Sequence, residues 1–370
     1  MDVLDQIGQG LWNAFQMAWE VWWALVLGFM LSGIVQAWVP RRQMARVLGG
    51  QGLRSLALAT GLGAASSSCS YAAVAIAKSA FQKGASLASA MAFQFASTNL
   101  VFEIGIVIWV FIGWQFTLAE FVGGLILIVI VWVAIRLLVS RREEEEAREH
   151  ALAAESGHAH HSAGGSPWRS LQAWRDVGRN FRHDWKMLWK EITAGFLIAG
   201  FVALLPVSFF NDLFLTDTGG AAQLIVSVLV GPLVAVLSFV CSVGNVPLAA
   251  VLWAGGISFG GVIAFIYADL IIIPLAIIYA RYYGRRLAAL LVGVMFGAMV
   301  LAALAVDGIF SWAGLVPSTR PSIDSIASRG ISWNYTTALN ILFSLVAAAL
   351  LWLSRRPTAA RAEAAAHPAH

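Results

Sequence analysis

The sequence predicts an all-α polytopic membrane protein made of two inverted-topology repeats, each with a re-entrant helical hairpin, and about seven full spans besides the two hairpins. Three observations lead there: an apolar composition, basic clusters placed at the ends of apolar runs, and a motif that returns 172 positions later, from Cys69 to Cys241. Of 370 residues, 59% are hydrophobic and 12% charged, against roughly 25% charged in soluble domains. Mean hydropathy is +0.76. Several apolar runs approach the ~20 residues that a helix needs to cross hydrocarbon, and the sequence has none of the ~10-residue alternating segments of a spanning barrel. The net charge of +4 sits in basic residues at span ends. That pattern reports orientation and calls for no nucleic-acid partner.

With Arg and Lys clusters assigned to the cytoplasmic side, each element follows in order. The run from Leu11 to Val39 travels from outside to inside and holds Glu20 with Trp12, Trp19, Trp22 and Trp23. No basic region precedes it and no small-residue cleavage site follows, so it reads as a retained span rather than a signal peptide. The next stretch, about 55–82, lies between Arg41, Arg42, Arg46 and Arg54 on one side and Lys78 and Lys83 on the other. Its middle, GLGAASSSCS, is a poor helix interior, and a segment that starts and ends on one side is a hairpin. Ala85 to Trp114 goes out, GWQF reverses the chain, and Leu118 to Val139 returns to Arg141, closing a first repeat over 1–140.

A polar linker follows over 141–185, with EEEEAREH and then SGHAHHSAGGSP. His158, His160 and His161 form a tract able to hold a soft or borderline metal ion; the other reading is a charged cytoplasmic connector. The second repeat, 186–310, runs the opposite way. Ile192 to Phe210 goes outward to Asp212 and Asp217, and a stretch about 221–254, interrupted at Gly231-Pro232 and from Cys241 to Pro247, enters from outside as the second hairpin. Ile257 to Ala280 returns to Arg281, and Leu287 to Val306 goes out. An extracytoplasmic loop (311–335), a last span (336–354) and a cytoplasmic tail (355–370) complete the chain, with the N-terminus outside and the C-terminus cytoplasmic.

At the constant offset of 172, Cys69-Ser70 meets Cys241-Ser242, Val74 meets Val246, Ala77 meets Ala249, Gly84 meets Gly256, Ser86 meets Ser258, Ala92-Phe93 meets Ala264-Phe265 and Ala96 meets Ala268. Related halves that face opposite ways are the plan of secondary transporters, whose broken segments meet near the membrane midplane. The alternative is two ordinary long spans whose small residues serve close packing.

Polar groups at membrane depth are costly and mark function by default. Ser66, Ser67, Ser68, Cys69 and Ser70 occupy the first hairpin tip, and Cys241, Ser242, Gly244 and Asn245 the second. Thiolates select soft partners such as Cu(I) or thiophilic metalloid species, although a lone buried cysteine is otherwise a small hydrophobe. Neither cysteine fits a zinc-binding pair, and no cofactor is implied. In FQFASTNLVFEIG, Gln94, Ser97, Thr98 and Asn99 cluster, and Glu103 shares a helix face with Asn99. Asp269 stands at the position equivalent to Ser97. Glu103 and Asp269 are the candidates for proton coupling, or else paired structural acids; Glu20 and Asp307 are weaker, lying towards span ends.

At Ser67-Ser68-Cys69-Ser70-Tyr71, at Phe93 to Glu103 and at Ser238 to Pro247, the chain resembles the predicted permease family that includes the ArsP-like organoarsenical efflux permeases. The resemblance covers Leu11 to Leu353 but not the His-bearing linker. It implies a permease of the bacterial inner (plasma) membrane, whose characterised relatives export thiol-reactive trivalent methylated arsenicals. Many members carry a Cys-Ser-Cys core in the first motif; here its last position is Tyr71. The expectation is a transporter rather than an enzyme, moving a small soft or thiol-reactive solute by alternating access with proton coupling. Its partners are that small-molecule substrate and the lipid bilayer, and the class is compatible with a homo-oligomer. The rivals are a carrier of a small sulfur-containing or other anion, held by backbone amides at the hairpin tips, and a membrane thiol-redox protein, for which no Cys-x-x-Cys pair is present.

Overall fold

Hydrocarbon offers backbone N–H and C=O groups no partner, so a spanning chain must satisfy them within its own helices or against other protein. The structure, a computed structural model, describes residues 3–38, 41–66, 70–153, 170–202, 204, 220–238, 242–320 and 335–355. Every regular element among them is helical. In chain order these are α1 (Val3–Trp38), α2 (Arg41–Leu48), α3 (Leu53–Ser66), α4 (Ser70–Gln82), α5 (Leu87–Asn99), α6 (Phe102–Phe111), α7 (Trp114–Leu138), α8 (Arg141–Ala153) and α9 (Leu171–Val202). The second half adds α10 (Gly220–Ser238), α11 (Ser242–Ala254), α12 (Phe259–Tyr267) with a 3-10 turn (Ala268–Leu270), α13 (Ile273–Tyr283), α14 (Arg285–Trp312) and α15 (Tyr335–Arg355).

Among the described residues, four helices are long and apolar enough to cross a membrane: α7, α10, α14 and α15. A fifth span results if α12 with its 3-10 turn and α13, bent by 44°, count as one. Apolar side chains such as Leu125, Val129, Leu233, Leu237, Leu301 and Leu345 are exposed on these helices, as the lipid-facing side of a membrane protein requires. Two expected single spans are broken. Ala85 to Trp114 divides into α5 and α6 at Leu100-Val101, where Val101 is extended. Ile257 to Ala280 divides at the 3-10 turn, and Pro274, which cannot donate into a preceding helix, sits in the first turn of α13.

The polar stretch 141–185 is helical at both of its described ends. Ser140 and Glu143 form a capping box at the start of α8: Ser140 N donates to Glu143 Oε2 at 3.0 Å and Glu143 N to Ser140 Oγ at 3.2 Å. These bonds from Ser140 hold the exposed Glu143 carboxyl below its usual range, so its support of the cap is present at neutral pH and lost as pH falls through the folded pKa. Ala147 and Ala151 are buried, and Gln82 Nε2 at the end of α4 donates to the Ala151 carbonyl at 2.7 Å. α9 carries the second end of the stretch against α1 and α15. A Cβ on Gly33 of α1 would sit 2.9 Å from the Val177 carbonyl of α9, and one on Gly178 would collide with the Leu350 carbonyl of α15.

Two corners 172 positions apart are built alike. α4 ends in a Schellman turn at Gly84 (φ 105°), with Gly84 N on Phe81 O (3.0 Å) and Ala85 N on Ala80 O (3.0 Å); α11 ends at Gly256 (φ 106°), with Gly256 N on Trp253 O (3.2 Å) and Ile257 N on Leu252 O (3.2 Å). The next residue but one caps the following helix: Ser86 accepts from Ser89 N, and Ser258 from Gly261 N. A carboxylate reaches each new N-terminus, Glu144 accepting from Leu87 N and Asp307 from Gly260 N, both at 2.9 Å. An arginine closes each corner. Arg148 donates to the carbonyls of Phe81 and Ala85 and lies 4.3 Å from the Phe81 ring centroid; Arg320 donates to those of Trp253 and Ile257 and lies 4.1 Å from the Trp253 ring centroid. Arg148 and Arg320 are themselves 172 positions apart.

α4 is clamped on its other side by α1. A Cβ on Gly28 would collide with the Cβ of Ala72. Beside this contact, Asp184 Oδ2 of α9 accepts from Ser32 Oγ (2.7 Å) and Gln36 Nε2 (2.9 Å) of α1, and Gln36 Nε2 also donates to Ser79 Oγ of α4 (3.0 Å). Asn340 of α15 is inserted into α1, its Nδ2 donating to Trp19 O (2.6 Å) and its Oδ1 accepting from Trp23 N (3.0 Å).

Gly28→Ala should destabilise the protein by about 1–3 kcal/mol, the range for overpacking a close contact, read as a lower thermal midpoint in detergent. Arg148→Ala and Arg320→Ala should each cost about 1–3 kcal/mol, because each removes charged donors from carbonyls at a helix end, and unfolding scans of the two variants check this.

Candidate functional site

The hairpin helices are short. α3 and α4 have 14 and 13 residues, about 20 Å each at ~1.5 Å per residue, less than the ~30 Å of hydrocarbon. α11 likewise has 13 residues, whereas α10 has 19 and meets the length of a span. The facing ends of α3 and α4, Ser66 and Ser70, bracket Ser67, Ser68 and Cys69. Those three residues and Cys241 lie outside the described residues, as do the side chains of Ser242 and Glu103. His158, His160 and His161 lie outside them too. Among the described residues, no group of three or more His, Cys, Asp or Glu side chains comes together as a metal site.

The sequence candidates that are described fall into three settings. Ser66 Oγ donates to the Gly63 carbonyl (2.7 Å) and lies 2.9 Å from Ser97 Oγ on α5. A Cβ on Gly63 would collide with the Phe93 carbonyl, and this close approach of α3 to α5 puts the two hydroxyls together. Ser70 Oγ, fully buried, donates to Asp269 Oδ2 at 2.7 Å. This bond joins the first-half hairpin break to the second-half helix break. Thr98 is turned back on its own helix, donating to Phe95 O at 3.2 Å. Asn99 and Asn245 are 1% and 0% exposed, yet neither side-chain amide makes a hydrogen bond among the described residues. A buried amide left unmatched costs about 1–3 kcal/mol, so these two carry hydrogen-bonding capacity that the fold itself does not use.

Further polar residues meet here; Gln94 belongs to the cluster seen in the sequence, whereas Tyr279, Tyr267 and Glu120 are not among the sequence candidates. Gln94 Nε2 of α5 donates to the hydroxyl of Tyr279 on α13, which donates in turn to the Leu270 carbonyl at 3.0 Å. That carbonyl belongs to the second-half break and would otherwise lack a helical partner. Tyr267 of α12 donates to the Ala119 carbonyl of α7 at 3.1 Å. Glu120, beside it, is fully buried. The signal for Glu120 was available in the sequence, since an acid inside an apolar run, here Leu118 to Val139, is a functional candidate by default. Lys78, taken from the sequence as an interface marker, is 1% exposed and lies 4.9 Å from the Tyr282 ring centroid. A lysine flanked by Ala77 and Ser79 within an apolar helix was the cue.

The family described as "Predicted permease" matches residues 12–308. A protein of Mycobacterium tuberculosis (strain ATCC 25618 / H37Rv) named "Putative permease Rv2963" is 47% identical over 325 residues, 85% of this chain and 79% of that relative. No solved structure matches the chain significantly.

Ser70→Ala removes the donor to a buried carboxylate and should cost about 1–3 kcal/mol, while Ser70→Thr should recover most of it; thermal unfolding of the three proteins in detergent makes the comparison.

Proposed function

The chain belongs to the predicted permease family, and from that premise we propose that it is a secondary transporter of the bacterial inner membrane that exports a small soft or thiol-reactive solute by alternating access. The observation that carries this reading is the Ser70 to Asp269 bond, which ties a break in one half to a break in the other. Broken helices meeting across two halves are how secondary transporters build a midplane site. The matched corners at Gly84 and Gly256, with Arg148 and Arg320, support two repeats. The alternating basic clusters give those repeats opposite orientation, with the N-terminus outside and the C-terminus cytoplasmic.

In this reading Cys69 and Cys241 contact the cargo, a trivalent organoarsenical or a soft metal species, since thiolates prefer soft partners. Ser66, Ser67, Ser68, Ser70, Ser242, Thr98, Asn99 and Asn245 orient it, the two asparagines through amides with no partner among the described residues. Asp269 or Glu103 couples the movement to protons.

Uptake of phenylarsine oxide into inside-out vesicles tests the reading. Cys69→Ser and Cys241→Ser should each lower it about tenfold, the equivalent of ~1.4 kcal/mol of lost ligation. Full activity in both variants would remove the cysteines from the cargo site and turn the assignment to an anion carrier.

A further inference from the structure

α7 contributes an acid that the transport reading above leaves unassigned. Glu120 is fully buried, and among the described residues neither of its carboxyl oxygens has a hydrogen-bond partner. It stands one helical turn before Gly123-Gly124, so all three lie on neighbouring parts of one face. The glycines are there because two other elements come close. A Cβ on Gly123 would collide with the hydroxyl of Tyr267, and one on Gly124 would lie 2.9 Å from Leu100 Cδ2, with the Asn99 Cβ next at 3.6 Å. Asn99 is the last residue of α5 and Tyr267 the last of α12. Tyr267 Oη donates to the Glu120 backbone carbonyl at 3.3 Å, and Asp269 follows Tyr267 by two residues in the 3-10 turn, so Glu120 stands beside the helix break of each half.

The described groups on the elements packed around it bring no positive charge to it. From α12 and its 3-10 turn come Tyr267 and Asp269; α5 contributes the uncharged Gln94, Ser97, Thr98 and Asn99. On α14, Asp307 is engaged with Gly260 N, and the arginines belong to its first turn, where Arg286 lies 3.8 Å from Glu143. The acid of α6 is Glu103, whose side chain is outside the described residues. Among the described residues no cation is paired with Glu120. An ionised carboxylate buried without a partner costs several kcal/mol, and a second carboxylate nearby adds repulsion; a proton on the pair removes both costs.

We propose that Glu120 and Asp269 form one proton-exchange site shared by the two halves of the permease. This deepens, and rests on, the transport reading. A carboxylate oxygen of Glu120 accepts a proton from water on one side of the membrane and returns it to water on the other, so that one proton is moved and nothing else changes. Asp269 is the member that senses the hairpin, because Ser70 at the head of α4 donates to it. When α4 moves and that bond is broken, Asp269 loses a donor to its ionised form and takes a proton from water; the negative charge facing Glu120 is then gone, Glu120 releases its own proton, and proton release is linked to the state of the cargo site.

Infrared difference spectra of the purified full-length protein between acid and alkaline buffer test the site without any cargo. Wild type should show a protonated-carboxyl C=O band that Glu120→Gln removes and Glu120→Asp restores at a shifted position. An unchanged band in Glu120→Gln overturns the proposal. If Glu120→Gln does not fold, Glu120→Asp decides alone, since a band that does not shift overturns it equally. In proteoliposomes with an internal pH dye, phenylarsine oxide should drive proton movement in wild type, and Glu120→Gln should lose it by about tenfold or more while phenylarsine oxide still protects the cysteines. Proton movement equal to wild type in that variant overturns the proposal. Wild type that neither binds nor moves phenylarsine oxide, with the infrared band behaving as expected, overturns the cargo assignment and leaves the proton site standing.

Discussion

Everything in this molecule follows from the rule that a backbone group in hydrocarbon must find its partner within protein. A helix can therefore break at membrane depth only where neighbours cover the break. At the first break, Leu100 N still reaches Ala96 O at 3.1 Å; at the second, Ile271 N reaches Ala268 O at 3.2 Å. What the helices cannot supply comes from across the molecule, as when Tyr279 satisfies Leu270 O while Gln94, from the other half, donates to Tyr279. Such mutual cover needs backbones to approach closely, which explains the small residues at Gly63, Gly123 and Gly124. Each is placed where a side chain would strike the neighbouring element.

The same economy separates a frame from the elements it holds. α1, α9 and α15 interlock through backbone contacts at Gly33 and Gly178 and through Asn340, whose amide takes the place of a helix partner inside α1. α4 is attached to that frame through a polar cluster, Ser32, Gln36, Ser79 and Asp184, instead of apolar packing alone. Hydrogen bonds are directional and so specify one position of α4 in a way that dispersion contacts do not. The head of the same helix carries Ser70, so the frame and the polar centre are joined by a single thirteen-residue rod.

Much of this was legible in the sequence. The Gly/Ser run marked the end of α3 and the start of α4, because those residues are poor helix interiors, and the offset of 172 located both Gly84 and Gly256 before their positive φ was known. The break at Leu100-Val101 was not legible, since NLVFEI has no glycine or proline and only tertiary packing makes Val101 extended. Its counterpart had a cue that the reading of Ile257 to Ala280 as one span passed over: Pro274 marks the start of α13, and carrying it back by 172 gives Phe102, the first residue of α6. Arg148 escaped notice because its surroundings are polar, and composition cannot tell a docked helix from a solvated connector. The burial of Glu120 and Lys78 was not legible for the converse reason, since position along an apolar run does not reveal which side of a helix faces protein.

The closing arginines also bear on how separable the two halves are. Arg148 belongs to α8, ahead of residues 154–169, and Arg320 follows α14. A cut between α8 and α9 therefore leaves each fragment with its own Schellman turn, its own serine cap, its own carboxylate and its own arginine. Neither corner depends on chain continuity with the other half. The molecule is thus arranged as two self-finished pieces whose union depends on surfaces, α1 against α9 above all, and a gene encoding it as two co-expressed chains would retain every corner described here.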